Sequence, residues 1–237
     1  MGGPVQMADG VWRIPVGVRD MLNVFVVVGP DDDVTLVDCG VRRAAPRVLA
    51  GLRHVGAAVE DVTAILLTHA HADHAGGVSS LQSSSGAAVA THADEACYVR
   101  SGVAPPLDRS LLAGRLLRRP GTFRAVEVSR ELSDGERLNI AGGIRVVHTP
   151  GHTPGHASYL HEPSGTLLAG DALYSWRGRA RWPIPFLCSD VRQARRSARV
   201  LAELDFHTVG FGHGSEIRGR GRAEVRALLD HSSGGRR

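Results

Sequence analysis

Four residues that can bind metal ions lie close together in the segment 63–77. They form the pattern H-x-H-x-D-H and are His69, His71, Asp73 and His74. Imidazole and carboxylate groups are the ligands that zinc and related borderline metals accept. Because side chains alternate along an extended chain, the two rings of His-x-His lie on the same side. The segment therefore predicts a metal site, with the Asp-His pair beside it for a second ion.

Further candidate ligands follow apolar segments in the second half of the chain. His152 lies in the sequence HTPGHTPGH, Asp171 follows TLLAG, and His213 follows TVGFG. Proline and glycine restrict these loops, which suits a ligand that must stay in place. A carboxylate at the end of a buried strand is costly unless it is paired or bound to a metal. Each fragment is weak evidence alone, but all of them in this order predict one shared metal site.

The elements that must position these side chains are short apolar strands and the helices that follow them. Residues 64–67 are apolar and partly β-branched, which predicts a buried strand directly before the first motif. In both halves of the chain strands come first and helices follow, which predicts two sheets packed face to face with helices outside. The expected helices include 43–56 and 190–204, the second with Ser189 or Asp190 as its N-cap.

Three other segments complete the predicted organisation. Residues 125–128 alternate between small or polar and apolar side chains and predict a further strand. Residues 93–123 have helical spacing that Ala-Pro-Pro interrupts at 104–106, with LLAGRLLRR behind the interruption. The polar end at 232–237 predicts a disordered tail. We therefore expect one domain over residues 1–231.

The composition is ordinary for a soluble globular protein, with 43% hydrophobic and 22% charged residues among 237. All 28 basic residues are arginine, which excludes a lysine nucleophile or Schiff base. The formal charge of +4 permits an anionic partner without requiring one, and we interpret the arginines as solvated surface rather than a nucleic-acid site. Three scattered cysteines, the lack of a signal-peptide pattern and the lack of a membrane-length apolar run favour a cytoplasmic protein with free thiols and no membrane partner.

The order and spacing of these motifs resemble the metallo-β-lactamase-fold hydrolases, over the region from Asp38 to about His213. The resemblance implies an α/β (α+β) fold, a four-layer αββα sandwich in a single domain, with two divalent metal ions at one edge. Zinc is the expected metal, and iron and manganese are the alternatives. By position, the first metal would be held by His69, His71 and His152, the second by Asp73, His74 and His213, and both by the bridging Asp171.

The same resemblance implies residues that support the ligands. Asp38 matches an early acidic position that orients the metal-binding loop, and His156 is expected to form hydrogen bonds within its own loop. The family most often has threonine after this aspartate, whereas this chain has Cys39. We interpret Cys39 as a small buried residue rather than a reactive thiol.

The expected chemistry is hydrolysis by a metal-bridging hydroxide, because a water shared by two cations loses a proton near neutral pH. Asp73 would steer that water or pass a proton to the leaving atom. Tyr174, three residues after Asp171, resembles a tyrosine of quorum-quenching lactonases that hydrogen-bonds the reacting carbonyl. The expected partner is therefore a small-molecule acyl substrate, namely a carboxylic ester, a lactone or a thioester.

The segment 175–190 contains candidate substrate-binding residues. Trp176, Trp182 and Phe186 lie close together in a chain with only 5% aromatic residues. Such side chains either wall an apolar pocket or pin a long loop to the core, and the sequence leaves both readings open.

Other activities on the same fold depend on particular residues. A glyoxalase II-like enzyme would need a longer helical region than the residues after His213, and true β-lactamases generally lack the aspartate found here as Asp171. The rival from another class is a persulfide dioxygenase, an oxidoreductase that binds one iron through the positions of His69, His152 and Asp171. The motifs alone do not separate this rival from a hydrolase, and they leave the oligomeric state open between monomer and homodimer.

Overall fold

The computed structural model describes residues 2–108, 110 and 121–233. Within these residues, seven strands form the first sheet, in which each strand is paired with its neighbour in the chain. These strands are β1 (Val5–Ala8), β2 (Val11–Pro15), β3 (Asn23–Val28), β4 (Val34–Val37), β5 (Val62–Leu66), β6 (Ala88–His92) and β7 (Arg130–Leu132).

The strand pairing in the first sheet changes from antiparallel to parallel at β4. Strands β1 to β4 pair as antiparallel neighbours, whereas β4 to β7 pair in parallel. Parallel neighbours need crossover connections, because the chain must return to the same end of the sheet. Among the described residues, the helices in these crossovers are α1 (Ala45–His54), α2 (Val78–Ser85) and α3 (Ala93–Ser101).

The second half of the chain forms a five-stranded sheet and a hairpin among the described residues. The sheet contains β8 (Arg137–Leu138), β9 (Ile144–His148), β10 (Ala157–His161) and β11 (Thr166–Leu168) as antiparallel neighbours. The hairpin that follows consists of β12 (Tyr174–Trp176) and β13 (Arg179–Arg181). After helix α4 (Val191–Glu203), strand β14 (Thr208–Gly210) joins β11 in parallel, and helix α5 (Gly221–Ser233) ends the described chain.

Three groups of buried side chains separate four layers. Ile65 of the first sheet packs in one group with Leu52 of α1. Phe25 and Tyr159 are fully buried in a second group, which lies between the two sheets. Leu201 of α4 packs with the second sheet in the third group. Since burying each such side chain stabilises the fold by about 1.5–3 kcal/mol, these groups account for the layering, and the predicted αββα sandwich is confirmed.

Local sequence signals explain the elements closest to the candidate site. Strand β5 buries every side chain except that of Thr63, as its apolar pattern predicted, and it ends three residues before His69. Helix α4 begins after Asp190, whose carboxylate accepts a hydrogen bond from the backbone N–H of Gln193 at 2.8 Å. This cap matches the prediction and satisfies one of the unpaired amides at the helix start.

The prediction of a strand at 125–128 is wrong. The backbone N–H of Val126 donates to Val99 at 3.5 Å, outside any strand ladder. Val126 and Val128 pack against the first core, so their alternation reflects burial beside α3 rather than pairing in a sheet. The seventh strand is β7, immediately after this segment.

The helix predicted over 93–123 ends at Ser101. Gly102 takes a left-handed conformation with φ of 68° and caps α3, which stops the helix before the prolines. The segment LLAGRLLRR at 111–119 lies outside the described residues. At the other end of the chain α5 continues through Ser233, two residues into the predicted tail, and 234–237 also lie outside the described residues. In the part of the chain that the structure describes, none of the helices combines the length and apolar character needed to cross a bilayer.

Candidate metal centre

The predicted ligands lie in loops that follow strands of the two packed sheets, and they meet at one edge of the sandwich. The first motif follows β5, and His152 lies in the loop between β9 and β10. Asp171 follows β11, and His213 follows β14. Because β11 and β14 are parallel neighbours, the residues after them emerge at the same end of the sheet. The structure brings all seven predicted ligands together, although they are far apart in the sequence.

Three histidines form the first ligand group. The nitrogen atoms that His69, His71 and His152 offer lie within 4.8 Å of one another. Nε2 of His152 is 3.0 Å from Nδ1 of His71. The ring of His69 is edge-on to both, with centroids 4.6 and 4.7 Å away. Three imidazoles that converge in this way match the ligand set of a zinc-type site.

Asp73, His74 and His213 form the second ligand group. Nε2 of His74 lies 3.3 Å from Nε2 of His213, and Oδ2 of Asp73 lies 3.4 Å from that same His213 nitrogen. His74 is fully buried, whereas the side chain of Asp73 is 43% exposed. This group therefore opens towards solvent on the side of Asp73.

Asp171 lies between the two groups. Its Oδ2 is 3.4 Å from Nε2 of His152 in the first group and 3.2 Å from Nε2 of His213 in the second. Its Oδ1 is 3.4 Å from Nε2 of His74. One carboxylate thus contacts ligands of both groups.

Two buried atoms show that these residues fit cations. Nε2 of His69 and Oδ1 of Asp171 are buried and have no hydrogen-bond partner within the described chain. An unpaired buried polar atom costs about 1–3 kcal/mol, so a cation at the centre would stabilise both atoms. Imidazole and carboxylate donors suit zinc, iron and manganese. The residues present therefore fit divalent metal ions.

Burial and neighbouring charges set different protonation states in the two groups. Burial lowers the pKa of His71 to about 4 and lowers the pKa values of His69 and His152 well below the usual range. Burial would also lower the pKa of His74, but Asp171, Asp38 and Asp73 outweigh it and raise the pKa to about 9. The first group is therefore neutral near pH 7, the form of imidazole that binds a cation.

Asp38 orients the first motif through hydrogen bonds to His74 and Thr68. Its Oδ2 accepts a hydrogen bond from Nδ1 of His74 at 2.8 Å, and its Oδ1 accepts one from the backbone N–H of Thr68 at 2.8 Å. These contacts direct Nε2 of His74 towards the centre and fix the start of the loop. The placement agrees with the orienting role that the resemblance implied. Cys39 beside it is fully buried, and burial raises the pKa of its thiol.

His156 lies beside the ligands without offering a free nitrogen. Its Nδ1 pairs with the Thr149 hydroxyl at 2.8 Å, and its Nε2 accepts a hydrogen bond from the backbone N–H of Asp171 at 2.9 Å. The predicted bond within its own loop is present, and the second bond holds the backbone of Asp171. Both ring nitrogens are used, so His156 positions a ligand.

The loop of His213 is held by buried polar residues that sequence reasoning missed. Nδ1 of His213 donates to the backbone carbonyl of Met21. The Asn23 amide donates to the carbonyls of Phe211 at 2.9 Å and Gly214 at 2.7 Å, on either side of the ligand. Arg13, which is 3% exposed, donates to the Asn23 side chain at 3.0 Å. The sequence signal for this network is a polar residue in each of two otherwise apolar strands, Arg13 in β2 and Asn23 in β3.

Cys188 contacts the first ligand group from the segment 175–190. Its Sγ is 3.7 Å from Nδ1 of His152, the nitrogen that faces away from the centre. Burial raises the pKa of Cys188 to about 12, so the thiol is neutral beside the imidazole. This contact joins the segment after Asp171 to a ligand, and nothing in the local sequence around Cys188 predicted it.

A cavity of about 470 Å³ opens onto the metal ligands. Its apolar walls come from the start of the chain, the segment after α3 and the segment after Asp171. The lining includes Met21, Ala104, Pro105, Leu107, Tyr174, Trp176, Ile184 and Leu187, together with His71, Asp73, His152, Asp171 and His213. The cavity is therefore a candidate substrate site next to the candidate metal centre.

The three predicted substrate-binding aromatics lie in three different places. Trp176 lines the cavity together with Tyr174, the predicted catalytic residue, and is 52% exposed. Trp182 packs against the third core group instead, with the Arg195 guanidinium 5.8 Å from its ring centre. Phe186 lies on a short turn, and its side chain is 43% exposed. Its neighbour Leu187 is one of the residues that line the cavity. Thus Trp182 fits the alternative reading, in which aromatic side chains pin the loop to the core.

A further cluster of His92, Asp94 and His148 does not have the geometry of a metal site. The two rings are stacked, with centroids 3.8 Å apart and planes 10° from parallel. Lone pairs of parallel rings do not converge on one point. Nδ1 of His92 accepts a hydrogen bond from the backbone N–H of Asp94, and Nε2 of His148 pairs with the Pro154 carbonyl. These contacts give His92 a structural role as the N-cap of α3.

Comparisons with known proteins agree with this geometry. Residues 17–213 match the family model of the metallo-beta-lactamase superfamily. The chain is 26% identical to the probable metallo-hydrolase YybB of Bacillus subtilis, over 78% of each chain. It is 30% identical to an N-acyl homoserine lactonase of a Bacillus species, over 72% of this chain and 63% of the relative.

A solved structure gives the same result for the fold. The metallo-beta-lactamase family protein TTHA1429 of Thermus thermophilus superposes with a TM-score of 0.72 and 28% identity, over 96% of this chain and 81% of that chain. The family match covers most of the chain and includes the elements that carry all seven converging ligands. The chain belongs to the metallo-beta-lactamase superfamily.

Proposed function

We propose that this chain is a dinuclear metal-dependent hydrolase that cleaves a carboxylic ester, a lactone or a thioester. The observation that carries the proposal is the arrangement of two ligand groups around Asp171, which contacts His152 in one group and His213 in the other. Seven ligands of this kind are more than a single ion of the zinc type needs.

The metal ions, when bound, supply Lewis-acid polarisation of the substrate carbonyl and lower the pKa of water. His69, His71 and His152 would hold one ion, and Asp73, His74 and His213 the other, with Asp171 shared. Zinc is the expected metal, with iron or manganese as alternatives. Neutral imidazoles in the first group support the assignment of the first ion, because protons do not compete for them near pH 7.

Asp73 is placed to move a proton. Burial would raise the pKa of Asp73, but His74 and His213 outweigh it and lower the pKa well below the usual range. The carboxylate is therefore ionised at neutral pH, and it reaches the cavity. It can accept a hydrogen bond from a water molecule, take a proton as that water attacks the substrate, and return the proton to the leaving atom.

Tyr174 and the cavity support an acyl substrate. The mostly apolar walls suit an acyl chain, and Tyr174 lines the same cavity as five of the candidate ligands. A phenol hydroxyl at this position can donate a hydrogen bond to the substrate carbonyl. The lactonase among the relatives supports a lactone as one of the candidate substrates.

A substrate panel tests the proposal. Metal-loaded protein is expected to hydrolyse at least one member of a panel of acyl lactones, aryl esters and thioesters, and removal of the metal with a chelator should abolish that turnover. Tyr174→Phe should lower kcat/KM by about tenfold, because one hydrogen bond to the carbonyl is lost. Tyr98→Phe removes the same atom from α3 and is the control. Equal kcat/KM for the two variants would contradict the role of Tyr174, and metal-independent turnover would contradict the proposed function.

A further inference from the structure

A buried acid that the proposed mechanism does not use lies beside the first ligand group. Glu95 is in the first turn of α3 and has no exposed surface. Its Oε1 accepts a hydrogen bond from the backbone N–H of Ala70 at 2.8 Å, and its Oε2 accepts one from the backbone N–H of Gly155 at 2.8 Å. Both carboxylate oxygens are therefore used, each by a different loop.

The two loops are the ones that carry the first ligand group. Ala70 stands between His69 and His71, and Gly155 is three residues after His152. One side chain thus connects the two backbone segments that supply all three histidines. Two rings of the second group have separate contacts that hold them, since the ring of His74 is held by Asp38 and that of His213 by the Met21 carbonyl.

The contact between the second loop and α3 is unusually close. A Cβ atom at Gly155 would lie 2.3 Å from the backbone nitrogen of Glu95, so only glycine lets the loop approach the helix this far. The amide dipoles at the helix start favour a negative charge in the first turn. An apolar residue in place of Glu95 would leave the backbone amides of Ala70 and Gly155 without this acceptor.

Burying this carboxylate is costly, and its hydrogen bonds to the two loop amides offset part of that cost. Burial raises the pKa of Glu95 to about 7, although the Ala70 and Gly155 amides oppose the rise. The same hydrogen bonds hold the two loops in a defined geometry. Here that geometry is the separation between Ala70 and Gly155, which sets the distance of His152 from the other two histidines.

We infer that Glu95 is a positioning residue that fixes the spacing of the three-histidine group and thereby sets the metal affinity of that group alone. The inference rests on the proposed two-metal function. Glu95 acts through the backbone of the two loops, by its hydrogen bonds to the amides of Ala70 and Gly155. Partners that orient metal ligands are typically worth about 10–100-fold in metal affinity.

The test is a zinc titration of metal-free protein in competition with a chromophoric chelator. Glu95→Gln keeps the shape of the side chain but presents an NH₂ group to one loop amide, so one of the two loop contacts is lost. The variant should weaken one zinc-binding step by about 10–100-fold and leave the other step within about threefold. His71→Ala identifies the affected step as that of the first group. The absorption spectrum of cobalt in that site should change as well.

The control variant is Asp94→Asn, which removes a negative charge from the same helix turn while both loop amides keep their acceptors. Its two zinc affinities should match those of the wild type. If Glu95→Gln leaves both affinities within about threefold while lowering only thermal stability, Glu95 merely stabilises the fold and the inference is overturned. If Glu95→Gln does not accumulate as folded protein, Glu95→Asp is titrated under the same criterion.

The wild-type titration separates this inference from the proposed function. Two zinc equivalents support the dinuclear centre, and the ratio of variant to wild-type affinity decides the role of Glu95. A wild type that binds a single ion contradicts the dinuclear proposal. In that case the affinity of Glu95→Gln for the single ion, compared with that of the wild type, still tests the role of Glu95. The reason is that His69 and His152 lie on the two loops that Glu95 joins.

Discussion

Replacing Asp73 by alanine is expected to lower kcat/KM by about 10²- to 10⁴-fold on the best substrate of the panel. Asp73 supplies the carboxylate of the second ligand group. Its side chain is 43% exposed and lines the cavity. The substitution therefore removes a ligand and the group proposed to move the proton. Steady-state kinetics on metal-loaded protein measure the effect. Metal content is determined on the same sample, so that lost binding and lost proton transfer are distinguished.

His92→Ala is the matched comparison for Asp73→Ala. His92 caps α3 and stacks on His148, outside the two ligand groups around Asp171. Losing the cap is expected to cost about 1 kcal/mol of stability, visible as a lower melting temperature, while kcat/KM stays within about threefold of the wild type. Equal losses of activity in the two variants would contradict the assignment of Asp73.

Asp171→Asn is expected to have an effect of similar size through metal retention. The substitution keeps the shape of the side chain but removes the negative charge between the two groups, where Oδ1 of Asp171 is buried without a hydrogen-bond partner among the described residues. Extensively dialysed protein should retain about one metal ion or less per chain, and kcat/KM should fall by at least about 100-fold. Elemental mass spectrometry and kinetics on the same preparation measure both quantities.

Asp190→Asn is the control for Asp171→Asn. Asparagine is as good an N-cap as aspartate, so helix α4 should keep its start and the protein should keep its metal and activity. An Asp171→Asn protein that retains two ions and wild-type kcat/KM would show that the two ligand groups do not share this carboxylate.

The ligands could be predicted because each one follows a short apolar strand. Strand β5 buries four of its five side chains, and that pattern is visible in the residues themselves. The loops after such strands meet at one edge of a sandwich, so the sequence alone could place His69, Asp171 and His213 together. The cap at Asp190 was also predictable from the sequence, because capping depends only on residues near one another in the chain.

The supporting contacts could not be predicted, because they join residues that are distant in the chain. The hydrogen bond from Gly155 to Glu95 spans 60 residues, and that from Asn23 to Phe211 spans 188. A glutamate at the start of a helix is ordinary in sequence, and only the packing of two loops against α3 gives it a particular role. Cys188 lies beside His152 for a similar reason.

Two differences between the predictions and the structure have the same origin. Residues 125–128 alternate as a strand does, but packing against α3 uses that alternation without a ladder. Trp182 stands among cavity residues in sequence, yet it packs on the core beneath Arg195. Periodicity reports which side chains are buried, and it does not report what buries them.

The number and identity of metal ions per chain test the central claim most directly. Protein expressed with both zinc and iron supplied is analysed by elemental mass spectrometry. The dinuclear proposal predicts about two ions per chain, zinc or mixed, because two ligand groups share Asp171. A single iron per chain, together with oxygen uptake in the presence of glutathione persulfide, would contradict the proposal and favour sulfur oxidation through His69, His152 and Asp171.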